Sequence, residues 1–193
     1  MRYGRLLSTA LVGASLMSAT ETYADVLASD TAGTLTASFS QEGQSVTTPS
    51  GGLFGDLTFN FYAPNGTPIA PGTLYIFTDP YTGTPSGLST SSFFAASTSN
   101  SGGVYTFDPS VELQGGTQYF FYDDTAASML GFPSDTYTGG NQYFSSNDDP
   151  FVSGPAEDLN FTLSGTPVPE PASLALLGVG VTGLGFARRR KRA

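Results

Sequence analysis

Hydrophobic and polar residues alternate along the chain in short runs broken by turn residues. Residues 34–40 set Leu35, Ala37 and Phe39 on one face and Thr34, Thr36, Ser38 and Ser40 on the other; Leu57, Phe59 and Phe61 likewise alternate with Thr58, Asn60 and Tyr62. A period of two is that of a half-buried strand. Further strands are predicted at residues 73–78, 93–97, 104–107, 117–122, 142–145 and 159–163. Turn chemistry separates them, at Pro64-Asn65-Gly66, Pro71-Gly72, Asp79-Pro80, Pro85-Ser86-Gly87, Gly102-Gly103, Gly115-Gly116 and Gly139-Gly140. No run of helical period precedes residue 172. Eight or nine strands at this spacing predict an all-β fold, an antiparallel β-sandwich of jelly-roll-like form. Gly165-Thr166-Pro167 then reads as a short linker.

The two ends break this pattern. Arg2 and Arg5 precede an uncharged, largely apolar run over residues 6–19, the layout of a secretory signal peptide. The small-residue rule places cleavage after Ala24, with Asp25 the first mature residue. At the other end Val168-Pro169-Glu170-Pro171 leads into an uncharged stretch, residues 172–187, followed by Arg188, Arg189, Arg190, Lys191 and Arg192. Sixteen residues make a helix of about 24 Å, short of a ~30 Å hydrocarbon core but extendable by snorkelling arginines. Gly178, Gly180, Gly183 and Gly185 weaken it as a helix, which suits a holding anchor better than a packed span. The basic cluster acts as the transmembrane stop and stays cytoplasmic by the positive-inside rule. The expected organisation is a signal peptide (1–24), a β-sandwich ectodomain (25–165), a linker with the Pro-Glu-Pro motif (166–171), a single transmembrane helix (172–187) and a basic cytoplasmic tail (188–193).

Charge sharpens the reading of the middle. All seven basic residues lie in the first five or last six positions, and histidine is absent. Of sixteen carboxylates only Glu21 and Glu170 fall in the end segments, so residues 25–167 carry fourteen acids and no cation. Such a surface repels phosphate backbones, which excludes nucleic acid as a partner. It also offers no arginine fork for an anionic ligand. Cysteine is absent, so the body must rest on its apolar core alone, which a chain of this length can build.

The Pro-Glu-Pro motif, the glycine-bearing apolar stretch and the Arg-rich terminus, in that order behind a signal peptide, resemble the PEP-CTERM sorting signal over residues 168–193. That resemblance implies a Gram-negative-type bacterium and recognition by an exosortase, a membrane-embedded cysteine transpeptidase-like enzyme that cleaves near the Pro-Glu-Pro. It also implies an inner-membrane-anchored precursor, delivery to the cell surface or extracellular matrix, and association with exopolysaccharide. Within the body, Gly43-Gln44-Ser45-Val46-Thr47-Thr48-Pro49, Leu74-Tyr75-Ile76-Phe77 with Gly83-Thr84-Pro85, and Tyr119-Phe120-Phe121-Tyr122 look like the small secreted β-domains called choice-of-anchor domains. Those domains bring no assigned chemistry.

Side-chain inventory limits catalysis. Without His, Cys, Lys or Arg in the body, serine and cysteine triads, Schiff-base lysines and His-rich zinc sites are excluded, and no phosphate-binding glycine loop opens a helix. The reading is therefore a non-catalytic protein. Its alternative from another class is a carboxylate-dependent glycan hydrolase, which needs two carboxyl groups; Glu112, Glu157 and Asp158 are candidates. No cofactor is expected beyond a structural Ca²⁺, for which Asp123, Asp124, Asp148, Asp149, Glu157 and Asp158 are candidate ligands in an adhesion module. A carbohydrate-binding variant would use Tyr75, Tyr81, Tyr105, Tyr119 and Tyr143 as stacking faces.

Overall fold

The structure is a computed structural model, and it describes residues 24–169 except 32, 39, 40, 133, 135, 155 and 156. Most of the expected signal peptide and the expected transmembrane and basic segments lie outside the described residues, as do Glu170, Pro171 and Phe39. Among the described residues, fifteen strands form: β1 (Asp25–Asp30), β2 (Leu35–Ser38), β3 (Gln41–Thr47), β4 (Leu53–Phe61), β5 (Leu74–Phe77), β6 (Ala95–Ala96), β7 (Ser99–Ser101), β8 (Val104–Thr106), β9 (Leu113–Gln114), β10 (Gln118–Asp123), β11 (Ser128–Phe132), β12 (Gln142–Ser145), β13 (Val152–Gly154), β14 (Asp158–Leu159) and β15 (Phe161–Pro167). Two 3-10 turns, Pro64–Gly66 and Pro85–Thr90, are the helical elements described.

Every pairing described is antiparallel. One sheet runs β1-β15-β4-β8-β7, with β9 also on β4; a second runs β13-β12-β3-β10-β5-β6; a third, of three strands, runs β14-β11-β2. The first two pack face to face. Alternation drives this: Leu57, Phe59 and Phe61 of β4 and Phe161 and Leu163 of β15 turn inward and meet Phe121 of β10. The Phe59 and Phe121 rings lie 4.4 Å apart across the sandwich. This arrangement bears out the all-β, antiparallel expectation.

Strand β10 is apolar without alternation because both of its faces are covered. Tyr119 and Phe121 enter the inter-sheet core, whereas Phe120 and Tyr122 enter a second cluster with Tyr75, Phe77, Leu88, Tyr143 and Phe151. Leu88, carried by the Pro85–Thr90 turn, forms part of this outer lid.

Three expectations change. The strand count exceeds eight or nine because six strands are only two or three residues long, too short to register as a period, and because β3 buries mostly polar side chains. Leu35, expected on an inward face, is 52 % exposed, since β2 sits at the rim of the small sheet. Gly165, Thr166 and Pro167 are strand rather than linker: β15 pairs with β4 through Pro167↔Phe54. The core strand therefore continues into the segment that leads to Pro-Glu-Pro.

Candidate functional site

Three groupings gather the polar residues singled out above. The first centres on β3, whose Glu42, Gln44 and Ser45 are buried. Gln44 donates from Nε2 to Oδ1 of Asp158 at 3.0 Å and accepts the Leu159 N–H at its Oε1 at 2.9 Å. The other Asp158 oxygen accepts the backbone N–H groups of Thr136 and Tyr137, at 2.9 and 2.8 Å. Gln142 donates to Glu42 at 2.8 Å. With no cation in the body, each buried carboxylate is held by neutral donors, the arrangement that burial of a charge then demands. Asp158 is thereby a structural clamp between the second and third sheets.

The second grouping sits at the end of β10. Asp123 is fully buried, accepts the Tyr105 hydroxyl at 2.7 Å and accepts the Thr125 N–H at 3.1 Å. Burial outweighs these bonds and pushes the Asp123 carboxyl up to about 7. The Tyr105 phenol is itself pushed far above its usual range, first by burial and then by the Asp123 charge. Asp124 accepts the Thr73 N–H at 2.7 Å and so closes the loop before β5.

The third is exposed. Asp148, in left-handed backbone conformation, takes the Ser86 N–H and Oγ–H at 2.9 and 2.8 Å and ties the 146–149 turn to the start of the Pro85–Thr90 lid. Asp149 lies beside it on the surface, and the half-buried Glu157 makes backbone bonds to Gly154 and Gln142.

The six calcium candidates thus separate into these places. Among the described residues no group of three carboxylates converges as metal ligands would. Of the hydrolase candidates, Glu112 precedes β9 on the first sheet, while Glu157 and Asp158 are consecutive at β14 and Asp158 is spent on the clamp. A cleft of about 270 Å³ beside Tyr81, Ser91 and Ser92 has Asp79 as its one lining carboxylate. Another, of about 370 Å³, is lined by Ala63, Pro64, Ile69, Ala127 and neighbours, with no carboxylate. Of the proposed stacking tyrosines, Tyr75, Tyr105, Tyr119 and Tyr143 are buried and Tyr81 is half-buried against Phe77. Their rings serve the two cores, which removes four of the five as open platforms. Sequence reasoning missed Gln44, Glu42 and Gln142 because amide and acid side chains on a buried strand leave no apolar signature.

The sorting segment is positioned by the first sheet. Strand β15 lies between β1 and β4, with Asp25 opposite Gly165 and Phe54 opposite Pro167. Val168 donates its N–H to the Leu53 carbonyl at 2.8 Å. Antiparallel alternation then turns the Pro167 nitrogen away from β4, where a proline costs no ladder bond. Thr166 Oγ1 donates to Asp56 at 2.9 Å and holds the same end. Ala24 and Asp25, the expected signal-peptidase site, are exposed at the start of β1. Among the described residues no helix is long and apolar enough to cross a membrane, and residues 172–187 lie outside them.

Comparison with known proteins identifies the tail. Residues 167–191 match the PEP-CTERM protein-sorting motif, a match that starts on the last residue of β15. No curated protein and no solved structure matches the chain. The motif supports an exported protein made as a membrane-anchored precursor and processed by an exosortase. The last residue of β15 is thus the first of the matched residues, and the β-sandwich chain carries a PEP-CTERM protein-sorting motif at residues 167–191.

Proposed function

We infer that the exosortase-processed product is a non-catalytic component of the cell surface or extracellular matrix, associated with exopolysaccharide. The observation that carries this reading is the sorting motif joined directly to the last core strand. The chemistry of the body supports it. Its buried carboxylates are engaged by Gln44, Tyr105 and backbone N–H groups, and its tyrosines are mostly core. Lacking Lys, Arg and His over residues 25–167, the body suits a neutral polysaccharide, held by hydroxyl and amide groups, better than an acidic one. The likeness to choice-of-anchor domains agrees with a display module whose anchor is separable from its fold.

The test replaces Pro169, Glu170 and Pro171 together by alanine in the full precursor. Export with loss of the tail should fail, leaving the variant in the inner-membrane fraction at full length. Processing and release at the wild-type rate would refute the sorting assignment. Retention of the mature protein on neutral exopolysaccharide, and not on the bare column matrix, tests the matrix role separately.

A further inference from the structure

The register of the first sheet brings three chain positions to one end of the sandwich: the start of β1, the start of β4 and the end of β15. Asp25 lies opposite Gly165, and Leu53 receives the Val168 N–H. The described chain therefore begins and ends at this same end. Only residues 169–171 separate Val168 from the apolar stretch. Fully extended, three residues reach about 10 Å. An enzyme embedded in the membrane and cutting near Pro-Glu-Pro has no room to reach the chain without touching this end of the folded body.

The end is built for contact. Val26 is 62 % exposed and Leu53 37 %; Val26 pairs with Ser164, one rung in from Asp25↔Gly165, and Leu53 is the first residue of β4. Val168, partly buried, lies between them in the sheet order, beside Gly55. Asp25, Asp56 and Glu112 rim the same end. That acidic rim disfavours anionic lipid headgroups as the occupant and leaves a protein surface as the fitting one. We propose that this end, formed by Asp25, Val26, Leu53, Asp56, Glu112 and Val168, is the surface on which the exosortase docks while it removes the tail. The proposal rests on exosortase processing of this chain. The motif supplies the cleaved segment, and the folded end supplies the second contact that places it.

The experiment follows tail removal by pulse-chase in the native host, using the full precursor. The double variant Val26→Glu with Leu53→Glu should slow processing at least five-fold at native spacing. Four residues, Gly-Ser-Gly-Ser, inserted between Val168 and Pro169 add about 13 Å. They should bring the double variant back to within two-fold of the wild type, because the body then no longer has to meet the enzyme. Since an unfolded variant would not be rescued in this selective way, the spacer also controls for folding. A photo-crosslinking amino acid in place of Val26, in an otherwise native precursor, should capture the exosortase. The same group in place of Asn65, just past the opposite end of β4, should not. Native-rate processing of the double variant, or equal capture at the two positions, would overturn the proposal. So would a Val26 probe that labels lipid alone. Normal processing after alanine replacement of Pro169, Glu170 and Pro171 would instead refute exosortase processing itself, so the two failures are distinguishable.

Discussion

Asp123 gives the sharpest quantitative test, because its ionisation is opposed by the fold. In the unfolded chain its carboxyl titrates near the ordinary value of 3.8; in the folded body burial raises it to about 7. Between those values the folded state holds a proton that the unfolded state has released. Stability contributed by the protonated group is thus fully present below about pH 4 and is lost as pH rises through 7. At roughly 1.4 kcal/mol per unit, the loss is on the order of 4 kcal/mol. The Asp123→Asn variant keeps an oxygen for the Thr125 N–H and removes the titration. The Tyr105 hydroxyl, which donates to Asp123 at 2.7 Å, can rotate to accept from the new amide. The other carboxylates repel one another more strongly as pH rises, in both proteins, so the informative quantity is the difference between the two. Thermal melts of the mature protein from pH 4 to 8.5 should show the wild type losing stability more steeply than Asp123→Asn. At about 3–5 °C per kcal/mol for a body of this size, the Tm curves should diverge by roughly 10–20 °C. Parallel Tm curves would refute the argument, and so would a wild type that gains relative stability as pH rises.

Other outcomes follow from the same structure. Asp158→Ala removes one of the two acceptors of Gln44 Nε2 and the acceptor of the Thr136 and Tyr137 N–H groups, and should cost at least about 3 kcal/mol in urea unfolding, with Asp158→Asn milder. Phe59→Ala opens a cavity where the rings of Phe61, Phe121 and Phe161 meet, and should cost about 3–5 kcal/mol by the same measurement. Gly140→Ala drives a Cβ into the Ser45 carbonyl and should prevent a native melt. Gly66→Ala, with open space around it and only a positive φ to strain it, should cost about 1 kcal/mol.

Legibility in the sequence divided along physical lines. Where one face is buried and the other is not, as in β4, alternation announced the strand and its inward residues Leu57, Phe59 and Phe61. Where both faces are buried, as in β10, the run Tyr119-Phe120-Phe121-Tyr122 signalled a strand without telling its faces apart. Strand β3 was invisible, because Glu42 and Gln44 are buried by pairing with Gln142 and Asp158, residues about a hundred positions away. A local period cannot report a partner at that separation. The same limit applies to the acids: neighbours in sequence such as Asp123 and Asp124 lie on alternate sides of the chain, so adjacency suggested a metal cluster that the geometry does not assemble. The tail was legible because its motif is a fixed linear order of residue types that needs no fold to be seen.

The pairing of Asp25 with Gly165 carries one more consequence. Under the cleavage after Ala24 that the sequence predicts, an α-amino group would arise at residue 25, the one positive charge beside residues 25–167, which hold no Lys, Arg or His. Tail removal near Pro-Glu-Pro, by the proposed route, would end the chain a few residues beyond the facing strand. Cuts at opposite extremes of the sequence would then leave both new ends at one end of the first sheet, where Asp25 faces Gly165. A chain whose basic residues all lie at its two far ends would finish with a single positive charge, placed at the seam where its beginning and its end meet.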